Sequence, residues 1–404
     1  MNCTAAEQPC QSVACVPCGN ARRALMERLT TERRSRPQPV RVRNFAPAPI
    51  SLPLCEHLED ARGNGGCRHR KCSRGHGAAA GVKPCDHCGP GRCPDYLPLN
   101  GEETRPGLVP RWTHQFGAGL VPDRHQTNCS LMPFSGRLLL AYRTGWVGAN
   151  IHIAEIHEDM TPGGSKTIRL PHPMCVGGRE DPRLFAHDGA MHLSFIGVRL
   201  RQPGNHTVAR QLFARLDNDL NAVRVWEPKY DRTTEWEKNW QPFSHDGRLF
   251  VVYSMRPWVV LELTGDLALP VSEATGVPWK FGLPRGGAAP VLHNGEWYAF
   301  FHGTDKSGYD RGLPAIYTTG VCTFESKPPF RPLRITREPI LWPVMADLPK
   351  GPHGGKSWYA ATAFPCGAYL DGDQWVVSYG HNDHWCRVSA FDAKQIEERL
   401  CPIK

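Results

Sequence analysis

Residues 184–197 read LFAHDGAMHLSFIG, two β-rich runs flanking Asp188-Gly189. Asp-Gly between such runs is a strong hairpin signal, because the two-residue turn that matches strand twist needs positive φ. The arrangement recurs as PFSGRLLLAYR (133–143), PFSHDGRLFVVYS (242–254), PVLHNGEWYAFFHG (290–303) and AYLDGDQWVVSYG (368–380). The turn glycines Gly136, Gly189, Gly247, Gly295 and Gly372 step by 53, 58, 48 and 77 residues. A period of about fifty with several strands per unit is what a β-propeller leaves in a sequence. The spacing predicts an all-β fold, a five-bladed β-propeller over 111–404, with the long last step taken up by inserted loop around 304–314 and 345–358. The competing reading is a β-sandwich of unrelated hairpins, and the regular offsets around the turns count against it.

Eight residues before each turn glycine stand Asn128, Asp181, Asn239, Gly287 and Phe364; seven after stand Arg143, Ile196, Ser254, His302 and Tyr379. In an antiparallel hairpin the start of the first strand lies beside the end of the second. These positions are therefore expected on one face, where the blades converge. That face would collect Asn128 with Arg143, Asp181 with Arg179 and Arg183, Lys238 and Asn239 with Arg256, Arg285 with His302, and Tyr379 with Asp383. Its densest part is GREDPRLF (178–185), with Glu180 and Asp181 held between two arginines. A surface salt-bridge cluster is worth little and has no reason to keep register with four other repeats. One acidic pair among Arg143, Lys238, Arg256 and Arg285 suits an acid working beside a bound phosphate, since arginine forks grip phosphate oxygens bidentately. The glycines of Arg285-Gly286-Gly287 would let backbone N–H groups approach an anion.

EDPR at 180–183, EKNWQPF at 237–243, MRP at 255–257 and YGHND at 379–383 resemble the motifs of glycoside hydrolase family 130 over roughly residues 112–395. The resemblance implies a five-bladed propeller and, for many members, inverting phosphorolysis of β-mannosides with inorganic phosphate as co-substrate and no catalytic metal. It implies Asp181 as the general acid, protonating the glycosidic oxygen by relay through a sugar hydroxyl. Arg143, Lys238 and Arg256 match phosphate-binding positions, and Arg285 adds a cation where the family has a less charged glycine-rich turn. Asp383 matches a carboxylate that holds sugar hydroxyls, and Asn128 a polar sugar contact. Glu180, Arg183, Asn239, His302 and Tyr379 join them as candidate contacts to an oligosaccharide or sugar-phosphate substrate. An inverting hydrolase would need a second carboxylate about 6.5–9.5 Å from the acid. Glu237 is the obvious candidate, and its neighbour Lys238 suggests an ion pair instead. Phosphorolysis, transfer of mannose from a sugar-phosphate or nucleotide-sugar donor, hydrolysis, and a non-catalytic glycan- or protein-binding propeller all stay open. Trp240, Trp258 and Trp385 read as packing residues, and Cys366 and Cys386 as buried thiols.

Ten of the 16 cysteines fall in the first hundred residues, so residues 1–110 read as a separate basic, Cys-rich module. Its CxxC pairs Cys15/Cys18 and Cys85/Cys88, with Cys67, Cys72 and Cys93, have the spacing that lets thiolates share a structural zinc. An iron–sulfur cluster would use the same residue type. Residues 20–35 predict a short basic helix capped by Asn20, and the module could dock a protein partner. The head carries 16 Lys+Arg against 10 Asp+Glu, out of 48 and 39 in the whole chain, so the body is not expected to bind nucleic acid. No run approaches the about 18 apolar residues of a membrane span. MNCTAAEQPCQSVAC lacks the basic and apolar regions of a secretory signal, which makes a cytoplasmic protein the expectation.

Overall fold

The computed structural model describes residues 58–59, 66–67 and 107–403, apart from 118–119, 121–125, 146–147, 201–206, 309–313 and 349–359. Two short strands, β1 (Leu58–Glu59) and β2 (Gly66–Cys67), pair antiparallel; the next is β3 (Trp112–Phe116). Cys15, Cys18, Cys72, Cys85, Cys88 and Cys93, the side chain of Cys67 and the predicted 20–35 helix lie outside the described residues.

Every predicted hairpin is present. The first sheet is β4 (Gln126–Phe134), β5 (Arg137–Thr144), β6 (Asn150–Ile156) and β7 (Pro162–Thr167), in that order. The second runs β8 (Gly178–His187), β9 (Ala190–Leu200), β10 (Thr207–Leu216), β11 (Ala222–Trp226). The third runs β12 (Gln241–His245), β13 (Arg248–Met255), β14 (Trp258–Thr264), β15 (Leu267–Ala274). In a fourth group β16 (Leu283–Gly286) and β17 (Val291–His293) both pair with β18 (Glu296–Asp305), followed by β19 (Ile316–Glu325) and β20 (Pro332–Thr336). A fifth group holds β21 (Ala361–Asp371), β22 (Gln374–His381), β23 (Trp385–Asp392) and, from far earlier in the chain, β3. The last two groups are joined by a short parallel pairing, Ile316 with Ala361 and Tyr317 with Thr362. A helix, α1 (Ala393–Arg399), capped by Asp392, leads to β24 (Leu400–Pro402) on β20.

Turn chemistry explains the hairpins. Ser135-Gly136, Asp188-Gly189, Asp246-Gly247 and Asn294-Gly295 all have positive φ at both turn residues, the conformation that follows strand twist. The fifth differs: Gly372 opens its two-residue turn instead of closing it, because Asp371 pairs with Gln374. Counting from that glycine therefore runs one residue out of step with the other four repeats.

Among the described residues, five apolar cores lie between the sheets. One combines Leu139 and Ile153 of the first sheet with Leu193 and Leu212 of the second. Phe213 meets Val251 between the second and third, Phe250 meets Phe301 between the third and fourth, and Phe300 meets Val377 between the fourth and fifth. The remaining core returns from the fifth to the first, with Val388 and Ala390 against Leu131 and Leu140. Buried side chains tie neighbouring sheets near these cores. Leu184 N–H donates to Ser130 Oγ at 2.9 Å, Leu131 N–H to Ser378 Oγ at 2.7 Å, and Thr319 Oγ1 to the Ala363 carbonyl at 2.8 Å.

Candidate active site

The first strands of two sheets carry the same defect. In β4, Asn128 and Cys129 together oppose one residue of β5; in β8, Asp181 and Pro182 do the same against β9. These are β-bulges, which re-aim a side chain and bend the strand. Both residues sit in the left-handed region, Asn128 at φ 55° and Asp181 at φ 50°, and Asn239 just before β12 has φ 70°. Asn and Asp tolerate this conformation better than other non-glycine residues. The extra residue of β4 also changes one expected pairing: Arg143 lies opposite Thr127, not Asn128. His302 lies opposite Arg285, the residue grouped with it from the sequence.

The bulges bring the candidate groups together. Asn128 Nδ2 donates to Asp181 Oδ1 at 2.6 Å, and Arg143 Nε lies 3.6 Å from the same oxygen. Glu180 receives Lys238 Nζ at 2.7 Å and has Arg143 at 3.7 Å. Arg183 is buried beneath them and donates to the carbonyls of Gly287 (2.5 Å) and Asp181 (3.0 Å) and to Asn239 Oδ1 (3.0 Å). Arg183 acts as a fastener between the second sheet and elements of the third and fourth. Arg179 turns away, bonding the Leu170 carbonyl and Asn150.

Burial alone would push the Asp181 carboxyl up, but Arg143, Lys238, Arg183 and the Asn128 amide together hold it below the usual carboxylate range. Asp383 goes the other way. Burial, with the Asp181 and Glu180 charges against Arg143 and Lys238, raises it to about 6. It sits in a turn with Asn382 and Asp383 both at positive φ, pinned by Asp383 N–H to Thr362 Oγ1 at 2.8 Å. Two carboxyl groups around one arginine thus have pKa values driven apart, the pattern that separates acid and base roles in many active sites.

Arg285 and His302 face each other across β16 and β18. Burial lowers the Arg285 guanidinium's hold on its proton, with Arg183 adding to the effect. His302 is 1% exposed, and burial beside Arg285 and Arg183 keeps it neutral; among the described residues its Nδ1 has no hydrogen-bond partner. Its ring stacks on Tyr317 and lies 4.6 Å from Phe364, whose other neighbour is Arg183.

Several of the expected residues have partners that the sequence did not indicate. Lys238 pairs with Glu180, not Glu237. Glu237 is instead saturated by Thr234 N–H and Oγ1, Trp240 Nε1 and Tyr253 OH, so it is not placed as a catalytic base. Tyr379 buries its hydroxyl against Ser389, because Tyr379 lies outside the offset shared by the other sheets. Arg256 donates to the carbonyls of Val277 and Trp279, and among the described residues no hydrogen bond or ion pair joins it to the cluster. Gly286 and Gly287 are required by packing: a Cβ would lie 2.0 Å from the Asn239 carbonyl oxygen or 2.4 Å from that of Phe300.

Sequence reasoning missed Gly380. A Cβ there would lie 1.7 Å from Asn128 Oδ1, so the fifth sheet leaves a gap into which Asn128 fits. Cys129, Cys366 and Cys386 are buried free thiols, and burial raises Cys366 and Cys386 well above the ordinary range. Trp240 and Trp258 are core residues.

The fold is that of several solved carbohydrate-active enzymes. The chain is similar to a β-1,2-mannobiose phosphorylase from Listeria innocua solved with β-1,2-mannobiose (TM-score 0.54, 14% identity, 71% of this chain and 99% of that one). It is similar to a structure described under the GH130 family of mannoside phosphorylases containing glycoside hydrolases that target β-1,2-mannosidic linkages in Candida mannan (0.51, 15%, 73% and 94%). A third is MPT-4, a mannose phosphorylase from Leishmania mexicana in complex with a phosphate ion (0.50, 14%, 74% and 92%). No protein-family model and no curated protein sequence matches the chain.

Proposed function

We propose that residues 111–404 form a five-bladed β-propeller enzyme that acts on β-mannosides by inverting transfer, with phosphate or a sugar-phosphate group as the anionic partner. The cyclic order of the inter-sheet cores, ending with the fifth sheet on the first, supports the ring. One observation carries the chemistry: a buried carboxyl, Asp181, accepts Asn128 Nδ2 at 2.6 Å and lies 3.6 Å from Arg143, beside the Lys238–Glu180 pair.

In this reading Asp181 gives its proton, through a sugar hydroxyl, to the departing glycosidic oxygen. A phosphate oxygen attacks the anomeric carbon from the opposite side as the old C–O bond breaks, yielding a sugar 1-phosphate of inverted configuration. Arg143, Lys238 and Arg285 supply the cations, His302 a neutral imidazole, and Asp383 accepts sugar hydroxyls. The depressed pKa of Asp181 fits this division of labour. Without an anion, the cations keep the carboxyl ionised; a phosphate dianion on the same cations offsets their field and lets the acid take up its proton. The acid is armed when its co-substrate arrives. Hydrolysis is disfavoured by the saturation of Glu237, and the cations suit a nucleotide-sugar diphosphate as well as phosphate.

The test is to incubate the protein with β-mannosides with and without phosphate, and separately with GDP-mannose. Mannose 1-phosphate, free mannose or an extended glycan identifies the reaction. Asp181→Asn is expected to lose roughly 10²–10⁴-fold of turnover while calorimetry still detects phosphate binding. Undiminished turnover in that variant removes Asp181 as the acid, and absence of product from every donor removes the enzymatic reading in favour of glycan binding.

A further inference from the structure

Trp236 is the one aromatic side chain among the exposed large hydrophobic residues of the described chain, at 46% exposure. It lies at the catalytic cluster: Lys238 Nζ stands 4.7 Å from the centre of its ring and 2.7 Å from Glu180, the residue before Asp181. The backbone that presents it is fixed on both sides. Glu237 N–H donates to the Ala209 carbonyl at 3.0 Å, Ala209 N–H to the Glu235 carbonyl at 2.9 Å, and Trp236 N–H to Thr234 Oγ1 at 3.2 Å. Glu237, saturated beneath, locks the segment further. A large indole left facing water yet held on rigid backbone beside charged groups is a poor core residue and a ready stacking surface.

We infer that Trp236 is a stacking platform for a pyranose ring of the saccharide that receives or leaves the transferred sugar, and so sets the preference for the acceptor. The ligand class is a neutral saccharide with an apolar face of C–H groups, which packs on an indole while its rim hydroxyls stay wet. Lys238 stands over the ring, and the exposed part of the indole is left for the sugar, next to the anion-binding cations. The inference rests on the carbohydrate reading above, and goes beyond it in naming an acceptor contact that no motif marks.

The experiment compares the full chain with Trp236→Ala and Trp236→Phe, each checked for an unchanged thermal midpoint. In the synthetic direction, with mannose 1-phosphate as donor and β-1,2-mannobiose as acceptor, Trp236→Ala is expected to raise the acceptor KM roughly five- to tenfold. Donor KM and kcat stay unchanged, and Trp236→Phe recovers most of the loss. An altered donor KM or kcat with unaltered acceptor KM assigns Trp236 to holding Lys238 and overturns the platform; so does no change at all. Should the wild type show no turnover, direct titration with β-1,2-mannobiose decides. Binding that weakens in Trp236→Ala keeps the platform and discards the catalytic reading, whereas equal binding in both proteins, or none in the wild type, discards the platform.

Discussion

Asp383 shows how one side chain can make both stability and activity depend on pH. Its folded-state pKa of about 6 lies above the ordinary 3.8, mainly through burial and then the neighbouring Asp181 and Glu180 charges. The group's favourable contribution to folding is therefore complete below about pH 4 and is lost as the pH rises through about 6. At pH 8 the ionised carboxylate is a burden of up to about 3 kcal/mol, less where solvent reaches the half-buried group. Asp383→Asn is expected to raise the thermal midpoint at pH 8 and to leave it nearly unchanged at pH 4, by calorimetry at the two values. A gain of the same size at both would detach the effect from ionisation. In the reading proposed above Asp383 holds sugar hydroxyls as a carboxylate, so the same variant should lose turnover, and the wild type should lose substrate affinity as the pH falls below 6.

At the scale of elements, the bulges in β4 and β8 make the site. Each inserts one residue and holds it at positive φ, so stability and chemistry can be separated at Asn128. Asn128→Gly keeps the backbone conformation and loses the bond to Asp181, whereas Asn128→Ala loses that bond and adds left-handed strain of about 1 kcal/mol. Both variants should lose activity alike, while denaturant unfolding finds the alanine variant the less stable; equal stabilities would mean the bulge does not constrain this residue. These elements also show what was legible beforehand. The hairpins and the clustered charges could be read because turn residues and motifs are local. The bulges could not, since both strands are buried on both faces around the inserted residue and have no alternation to break, and so the partner of Arg143 was misjudged by one position. The packing demand on Gly286 and Gly287 was hidden for a related reason, since Asn239 and Pro365, which an added Cβ would meet, lie far away in sequence. Trp236 did leave a signal, as an aromatic residue two positions before the assigned Lys238.

At the scale of the whole molecule, the proposed ring depends on β3. This strand pairs with β23, places Phe116 in the core between the fifth and first sheets, and is preceded by Arg111, which bonds Asp373 at 2.7 Å and also Asp392. Deleting residues 111–116 from the full chain should lower the thermal midpoint by roughly 10 °C or more and expose the edge of β23, promoting association. An unchanged midpoint and a monodisperse solution would show that β3 is ornamental to the fold. The same long-range dependence reaches the proposed acid. Asn128 on the first sheet orients Asp181 on the second only because Gly380 on the fifth has no side chain to displace it. Evolution then has no independent choice at these two places: a lineage can regain bulk at 380 only after surrendering the amide at 128, and the pair should be inherited together or lost together.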